Sequence, residues 1–130
     1  MRYMRMQLET ALSRGVDIRQ WSIWNVDFGS TLGKEQSGQR PAILIKEFED
    51  HSLCIMIPLT SQLDAERFKY TVKINKTSST NLRNDSIALL YQMKSISSQR
   101  LGRSEIGVLA DYQIEKVKGS LRDMMQLQQS

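Results

Sequence analysis

Apolar positions along this chain follow two periods: every second residue through the middle, every third or fourth near each end. Met4, Leu8, Ala11 and Leu12 recur at helical spacing among Arg2, Arg5, Gln7, Glu9 and Arg14, and Gly15 stops the run. A helical extension over residues 1–15 is expected, packed on the body or on a neighbour, with one domain over residues 16–130. Residues 21–28 alternate and are rich in aromatics, as a strand does. Gly29 to Gln39 has glycines and no period, so it reads as a loop. Two apolar runs follow, at 41–47 and 53–59; Pro58 cannot donate a ladder hydrogen bond and demands an edge or a bulge. Phe68, Tyr70, Val72 and Ile74 alternate with Lys69, Thr71 and Lys73, which predicts a strand with its lysines outward, as a solvated face or a basic patch. Residues 75–84 form a polar loop anchored only by Leu82. Ser86 to Lys94 predicts the last long strand, central because its middle is apolar on both faces. Ser97 to Arg100 reads as a short turn and Gly107 to Leu109 as a final short strand. From Asp111, a plausible N-cap, Ile114, Val117, Leu121, Met124 and Met125 mark a helix; Gly119 inside it costs about 1 kcal/mol against alanine. The pattern predicts a small, mostly antiparallel β domain closed by a C-terminal helix.

The chain's 130 residues, 40% hydrophobic and 25% charged, suit one domain with one modest core. No stretch approaches the roughly 20 apolar residues of a membrane helix. The first residues lack the apolar centre of a signal peptide, so a cytoplasmic protein is expected, with no membrane partner. Cys54 and His51 are the only residues of their kinds. Intramolecular disulfides are excluded, and a Cys/His zinc site nearly so. Cys54, in an apolar run, reads as inert core, and His51 as a solvated turn residue. The net charge of +4 fits a nucleic acid or an acidic peptide as partner.

The stretch Glu35-Gln36-Ser37-Gly38-Gln39-Arg40-Pro41-Ala42-Ile43-Leu44-Ile45 passes from polar and glycine-flanked to wholly apolar. A long loop here feeds a buried strand, and long loops in small domains often carry function. Pro41 pushes Arg40 toward an extended backbone, so a permanent cation stands at the strand's mouth. Thr60 and Ser61 follow Pro58, a hydroxyl pair where regular pairing has just failed. Taken alone, Arg40 could simply pair with Glu35 or Glu47, Thr60 could cap a strand end, and Trp21 and Trp24 read as core or interface.

Three blocks together resemble the MazF/PemK family of toxins from bacterial toxin–antitoxin pairs. They are Trp24-Asn25-Val26-Asp27-Phe28-Gly29 running on to Gly33-Lys34-Glu35-Gln36-Ser37-Gly38-Gln39-Arg40-Pro41; Ile57-Pro58-Leu59-Thr60-Ser61; and Asp85-Ser86-Ile87-Ala88-Leu89-Leu90-Tyr91-Gln92-Met93-Lys94-Ser95-Ile96. Their order and spacing are the family's, over roughly residues 21–127. The resemblance implies a mostly β, SH3-like barrel with a C-terminal helix, here with an N-terminal helix appended. It implies a homodimer and a metal-independent, cofactor-free endoribonuclease that cuts single-stranded RNA at short sequences. It further implies an antitoxin whose acidic, partly disordered tail fills the RNA groove, with which the toxin also binds DNA.

Matched residue by residue, the family's catalytic arginine and threonine fall on Arg40 and Thr60. Lys34, Glu35, Gln36 and Ser37 match its substrate-gating loop, Gln92 a substrate-binding glutamine, Ser86 a polar position near the dimer groove; Ser61 lies beside Thr60 in the second block. The chain departs from the pattern at Trp21-Ser22, where relatives usually carry Gly-Asp, and at Tyr91, often acidic in relatives. Two other readings stay open. The same barrel serves gyrase-poisoning toxins that bind protein and cleave nothing, but these end in Trp-Gly-Ile and lack the Glu-Gln-Ser-Gly-x-Arg-Pro run. A catalytically weak homologue that only binds its antitoxin is the other.

Overall fold

Ala42, Ile43 and Leu44 are buried at 0%, 0% and 1% exposure, although neighbours on a strand point to opposite faces. Both faces of their sheet are therefore covered. In the computed structural model, which describes residues 19–30, 32–33 and 38–126, strands β1 (Ser22–Asp27), β2 (Gln39–Phe48) and β3 (Leu53–Thr60) form the centre. Strands β4 (Thr71–Ile74), β5 (Ser86–Leu89), β6 (Lys94–Ser97) and β7 (Leu101–Val108) complete the sheet, and helix α1 (Asp111–Met124) follows. The order is β4-β5-β3-β2-β1-β7, with β6 also on β3, and every pairing is antiparallel. This is the mostly β fold with a C-terminal helix that the pattern predicts. The N-terminal helix expected over residues 1–15 lies outside the described residues.

Alternate residues of the central strands feed two cores. Ile23, Ile43, Ile57 and Leu59 pack with Leu90 and with Val117 of α1. Trp24, Val26, Ala42, Leu44 and Met56 pack on the other face with Phe28 and Ile96. Trp24 is thus core, and Cys54 lies in the same cluster, fully buried. β3 joins the two halves. One side of it pairs with β6 from Leu53 to Met56 and then with β5 at Leu59 and Thr60. Pro58 sits in the gap where one partner has ended and the other barely begun. On its other side, β3 stays paired with β2 through Ala42–Pro58, past a bulge between Leu44 and Lys46.

Three strand expectations need correction. The strand expected from Phe68 begins only at Thr71. Residues Leu63–Arg67 form a 3-10 turn, the Phe68 N–H closes onto the Ala65 carbonyl, and Tyr70 takes a left-handed φ of 61°. That conformation is strained for a bulky residue and incompatible with a strand. Phe68 is consequently exposed. The single strand expected from Ser86 to Lys94 is two strands, broken by a 3-10 turn at Leu90–Gln92. There the Leu90 N–H bonds to the Tyr70 carbonyl and the Met93 N–H to the Leu90 carbonyl. Leu90 fills the core while Tyr91 turns outward.

The last strand is also longer than expected, and α1 starts differently. Ala110 is the N-cap, with Asp111 in the first turn. Gln113, buried, accepts from the Ala110 N–H at 2.9 Å and donates to the Asn75 carbonyl at 3.0 Å, tying the helix start to the polar loop. The loop reaches β7 where the Ser79 hydroxyl donates to the Val108 carbonyl at 2.6 Å. A Cβ on Gly107 would stand 2.3 Å from the Thr80 carbonyl oxygen, whereas one on Gly119 would meet nothing. Gly119→Ala therefore stabilises the protein by about 1 kcal/mol in denaturant unfolding, and Gly107→Ala lowers the unfolding midpoint.

Candidate active site

Arg40 and Thr60 come together because β2 and β3 run antiparallel in a fixed register. Two residues beyond the Ala42–Pro58 pair lie Arg40 on one strand and Thr60 on the other. Arg40 pairs with Val26 of β1, in the extended backbone that Pro41 favours. Thr60 ends β3 opposite Ile87 of β5. Both border one cleft of about 810 Å³, with Ser61, Ser86, Asn25 and Glu105.

The polar groups of this cleft are differently committed. The Thr60 hydroxyl accepts from the Gln62 N–H at 3.2 Å, which leaves its own O–H to donate to a ligand. The Ser86 hydroxyl, buried at the start of β5, donates to the carbonyl of exposed Asn84 at 3.1 Å; it shapes the cleft floor. Ser61 is exposed at the rim and also borders a smaller hollow beside Lys76 and Asp85. Gln92 borders a second pocket, one that shares Thr60 and Gln62 with the first. Lys34, Glu35, Gln36 and Ser37 lie outside the described residues.

Glu47 is no partner for Arg40. Seven residues of one strand separate them, roughly 20 Å at strand rise, and Glu47 stands opposite Cys54. Burial, and then the nearby Glu49, push the Glu47 carboxyl above the usual range, and one of its oxygens is buried without a hydrogen bond. Burial, and then Glu47, push the Cys54 thiol up to about 12. That thiol stays protonated at neutral pH, and a thiol is a weak nucleophile.

Asn25 and Glu105 are cleft residues that sequence reasoning missed. Asn25 is an outward position of β1 whose amide donates to the Gln39 side chain at 3.2 Å; alternation with Trp24 and Val26 marked it as outward. Glu105 accepts from Arg19 at 2.7 Å. It reaches the cleft only because β7 pairs with β1, a long-range contact with no local signal. Among the described residues, no group of three or more His, Cys, Asp or Glu side chains could hold a metal ion. No helix among them is long and apolar enough to cross a membrane.

Comparison with known proteins adds a family. Residues 19–125 match the model of the PemK-like, MazF-like toxin of type II toxin–antitoxin systems. The endoribonuclease toxin MazF of Escherichia coli strain K12 is 29% identical over 102 residues, 76% of this chain and 85% of that protein. The crystal structure of MazF (form I) from Deinococcus radiodurans superposes with a TM-score of 0.66 at 18% identity, covering 85% of this chain and 97% of that one. An endoribonuclease in complex with its cognate antitoxin, from a mycobacterial species, superposes with a TM-score of 0.63 at 13% identity, covering 88% and 100%.

The Glu47 environment makes a pH prediction. Its pKa is raised in the fold, so the folded state binds the proton more tightly than the unfolded one. Stability is then lost as pH rises from the normal carboxylate pKa through the raised one. Glu47→Gln should be more stable than the parent at neutral pH, and the gap should close in acid; melting curves at both pH values check it.

Proposed function

We propose that this chain, which belongs to the PemK-like, MazF-like toxin family of type II toxin–antitoxin systems, is an endoribonuclease acting on single-stranded RNA through Arg40 and Thr60. The observation that carries this reading is the shared cleft: a permanent cation and a donor hydroxyl, contributed by adjacent strands, open onto the same space. The endoribonuclease relative in Escherichia coli supports it.

RNA brings its own nucleophile, so the protein must orient and stabilise rather than attack. The 2′-oxygen bonds to phosphorus as its proton leaves. The bond from phosphorus to the 5′-oxygen breaks, and that oxygen takes up a proton. The products are a 2′,3′-cyclic phosphate and a 5′-hydroxyl. Between them stands a crowded phosphorane whose equatorial oxygens carry the charge. The planar guanidinium fork of Arg40 matches two such oxygens, and the Thr60 O–H donates to the same group. Arg40 acts by electrostatic stabilisation: a guanidinium keeps its proton near neutrality and is a poor base there. Lys34, Glu35, Gln36 and Ser37 supply the loop over the substrate, and Ser61 and Gln92 hold the strand to either side. Ser86 acts through the shape of the floor.

Two partners belong to this reading. One is a second copy of the chain, forming a homodimer. The other is an antitoxin with an acidic tail, suited to a cleft bordered by Arg40 and Arg83; the mycobacterial endoribonuclease of the same fold is seen with its antitoxin. The protein should cleave a single-stranded RNA pool in excess chelator, leaving cyclic phosphate ends. Arg40→Ala should slow cleavage by roughly 10²–10³-fold, the usual loss when one charge-stabilising donor is removed, with the melting temperature unchanged. Intact RNA with the parent protein, or 5′-phosphate ends, contradicts the proposal.

A further inference from the structure

We infer that the pocket walled by Phe68 and Tyr91 receives the nucleobase next to the scissile phosphate, with Tyr91 as its stacking platform. This rests on the ribonuclease reading above and adds a substrate subsite to it. The pocket, about 810 Å³, adjoins the Arg40 cleft, and Thr60 and Gln62 border both. A phosphate held between Arg40 and Thr60 therefore has its neighbouring base at the pocket's mouth.

The walls suit a base. Phe68 and Tyr91 meet edge to face, ring centroids 6.3 Å apart and planes at 65°. They are 46% and 45% exposed, unlike the aromatics of the two cores. The guanidinium of Arg67 lies 4.6 Å from the Phe68 ring centre and covers it. Phe68 is thus the fixed wall, and Tyr91 the ring left to stack. Among the described residues, Lys69 and Lys94 also border the pocket, and no carboxylate does. Exposed aromatic rings beside lysines, without acidic residues, are how proteins hold unstacked bases of single-stranded RNA.

The local folding points the same way. A regular strand through residues 86–94 would place Tyr91 in the sheet ladder, yet a 3-10 turn turns it out over the pocket. A strand begun at Phe68 would likewise carry that ring into the sheet; the left-handed Tyr70 ends that option. Each irregularity delivers one of the two rings.

The test is a base-by-residue cycle. The cut site is first mapped on an RNA pool with the parent protein. A matching oligonucleotide with a 2′-deoxy nucleotide at the cut is then scanned with single abasic sites, and binding is measured by fluorescence anisotropy. One abasic position next to the cut should weaken binding to the parent by roughly 5- to 150-fold, the span expected for a stacked base. Tyr91→Ala should show the same loss on the intact oligonucleotide and no further loss at that abasic position; Tyr91→Phe should behave as the parent. Both rings are surface-exposed, and thermal melting confirms that each variant is folded. If Tyr91→Ala binds every oligonucleotide as the parent does, while the parent cleaves RNA, the subsite is refuted and the ribonuclease reading stands. The subsite is equally refuted if Tyr91→Ala weakens only the binding of an acidic peptide. If the parent cleaves no RNA, both fall.

Discussion

The antiparallel pairing of β2 with β3 governs the molecule. Ala42, Ile43 and Leu44 are buried on alternating faces, and Pro58, Ile57 and Met56 stand opposite them. Sliding one strand by a single residue would send each apolar side chain to the other face. Here both faces are core, but the cores differ: the one under Ile43 and Ile57 is closed by α1, the other by Phe28 and Ile96. Trp24 packs in the second. The register is therefore held by shape on two sides. It carries Arg40 and Thr60 to the same end of the sheet, each two residues past the Ala42–Pro58 pair.

Rigidity and access are divided at that end. β3 is clamped by β2 on one side, and on the other by β6 and then β5. The change of partner at Pro58 opens the sheet just before Thr60, and the cleft begins there. A hydroxyl at the last paired residue of a clamped strand is fixed in position yet faces open space. One of its two lone pairs is occupied by the Gln62 N–H, which narrows the directions in which it donates. Preorganised donors of this kind cost no rearrangement when charge develops on a ligand.

The chain displays some of this openly. β2 was legible because burial on both faces leaves an unbroken apolar run, and α1 because its stripe keeps a helical period. The three motif blocks marked Arg40 and Thr60 through their resemblance, and the register then explained why the two meet. Other parts left no local trace. The break at Leu90–Gln92 begins inside Ile87-Ala88-Leu89-Leu90-Tyr91, which reads as continuous strand; where it begins, the Leu90 N–H bonds to the Tyr70 carbonyl, twenty residues away. β7 is an edge strand whose middle, Gly102-Arg103-Ser104, is exposed and polar. It shows no alternation, and so Glu105 could not be placed beside Asn25. Tyr70 reads as a core-facing strand residue because it alternates with Phe68, Val72 and Ile74; its side chain does pack against the core, but its backbone is not extended.

Cleavage by these residues requires one geometry: a single phosphodiester lies between the guanidinium of Arg40 and the hydroxyl of Thr60. A crystal structure of the protein with an RNA oligonucleotide, made uncleavable by one 2′-deoxy sugar at the mapped cut, tests it most directly. The expected result is the phosphate at that position within hydrogen-bond distance of both side chains, its 2′-carbon facing the line from phosphorus to the leaving 5′-oxygen. A phosphate at the cut bound away from either residue, with the cleft between β2 and β3 empty, would contradict it.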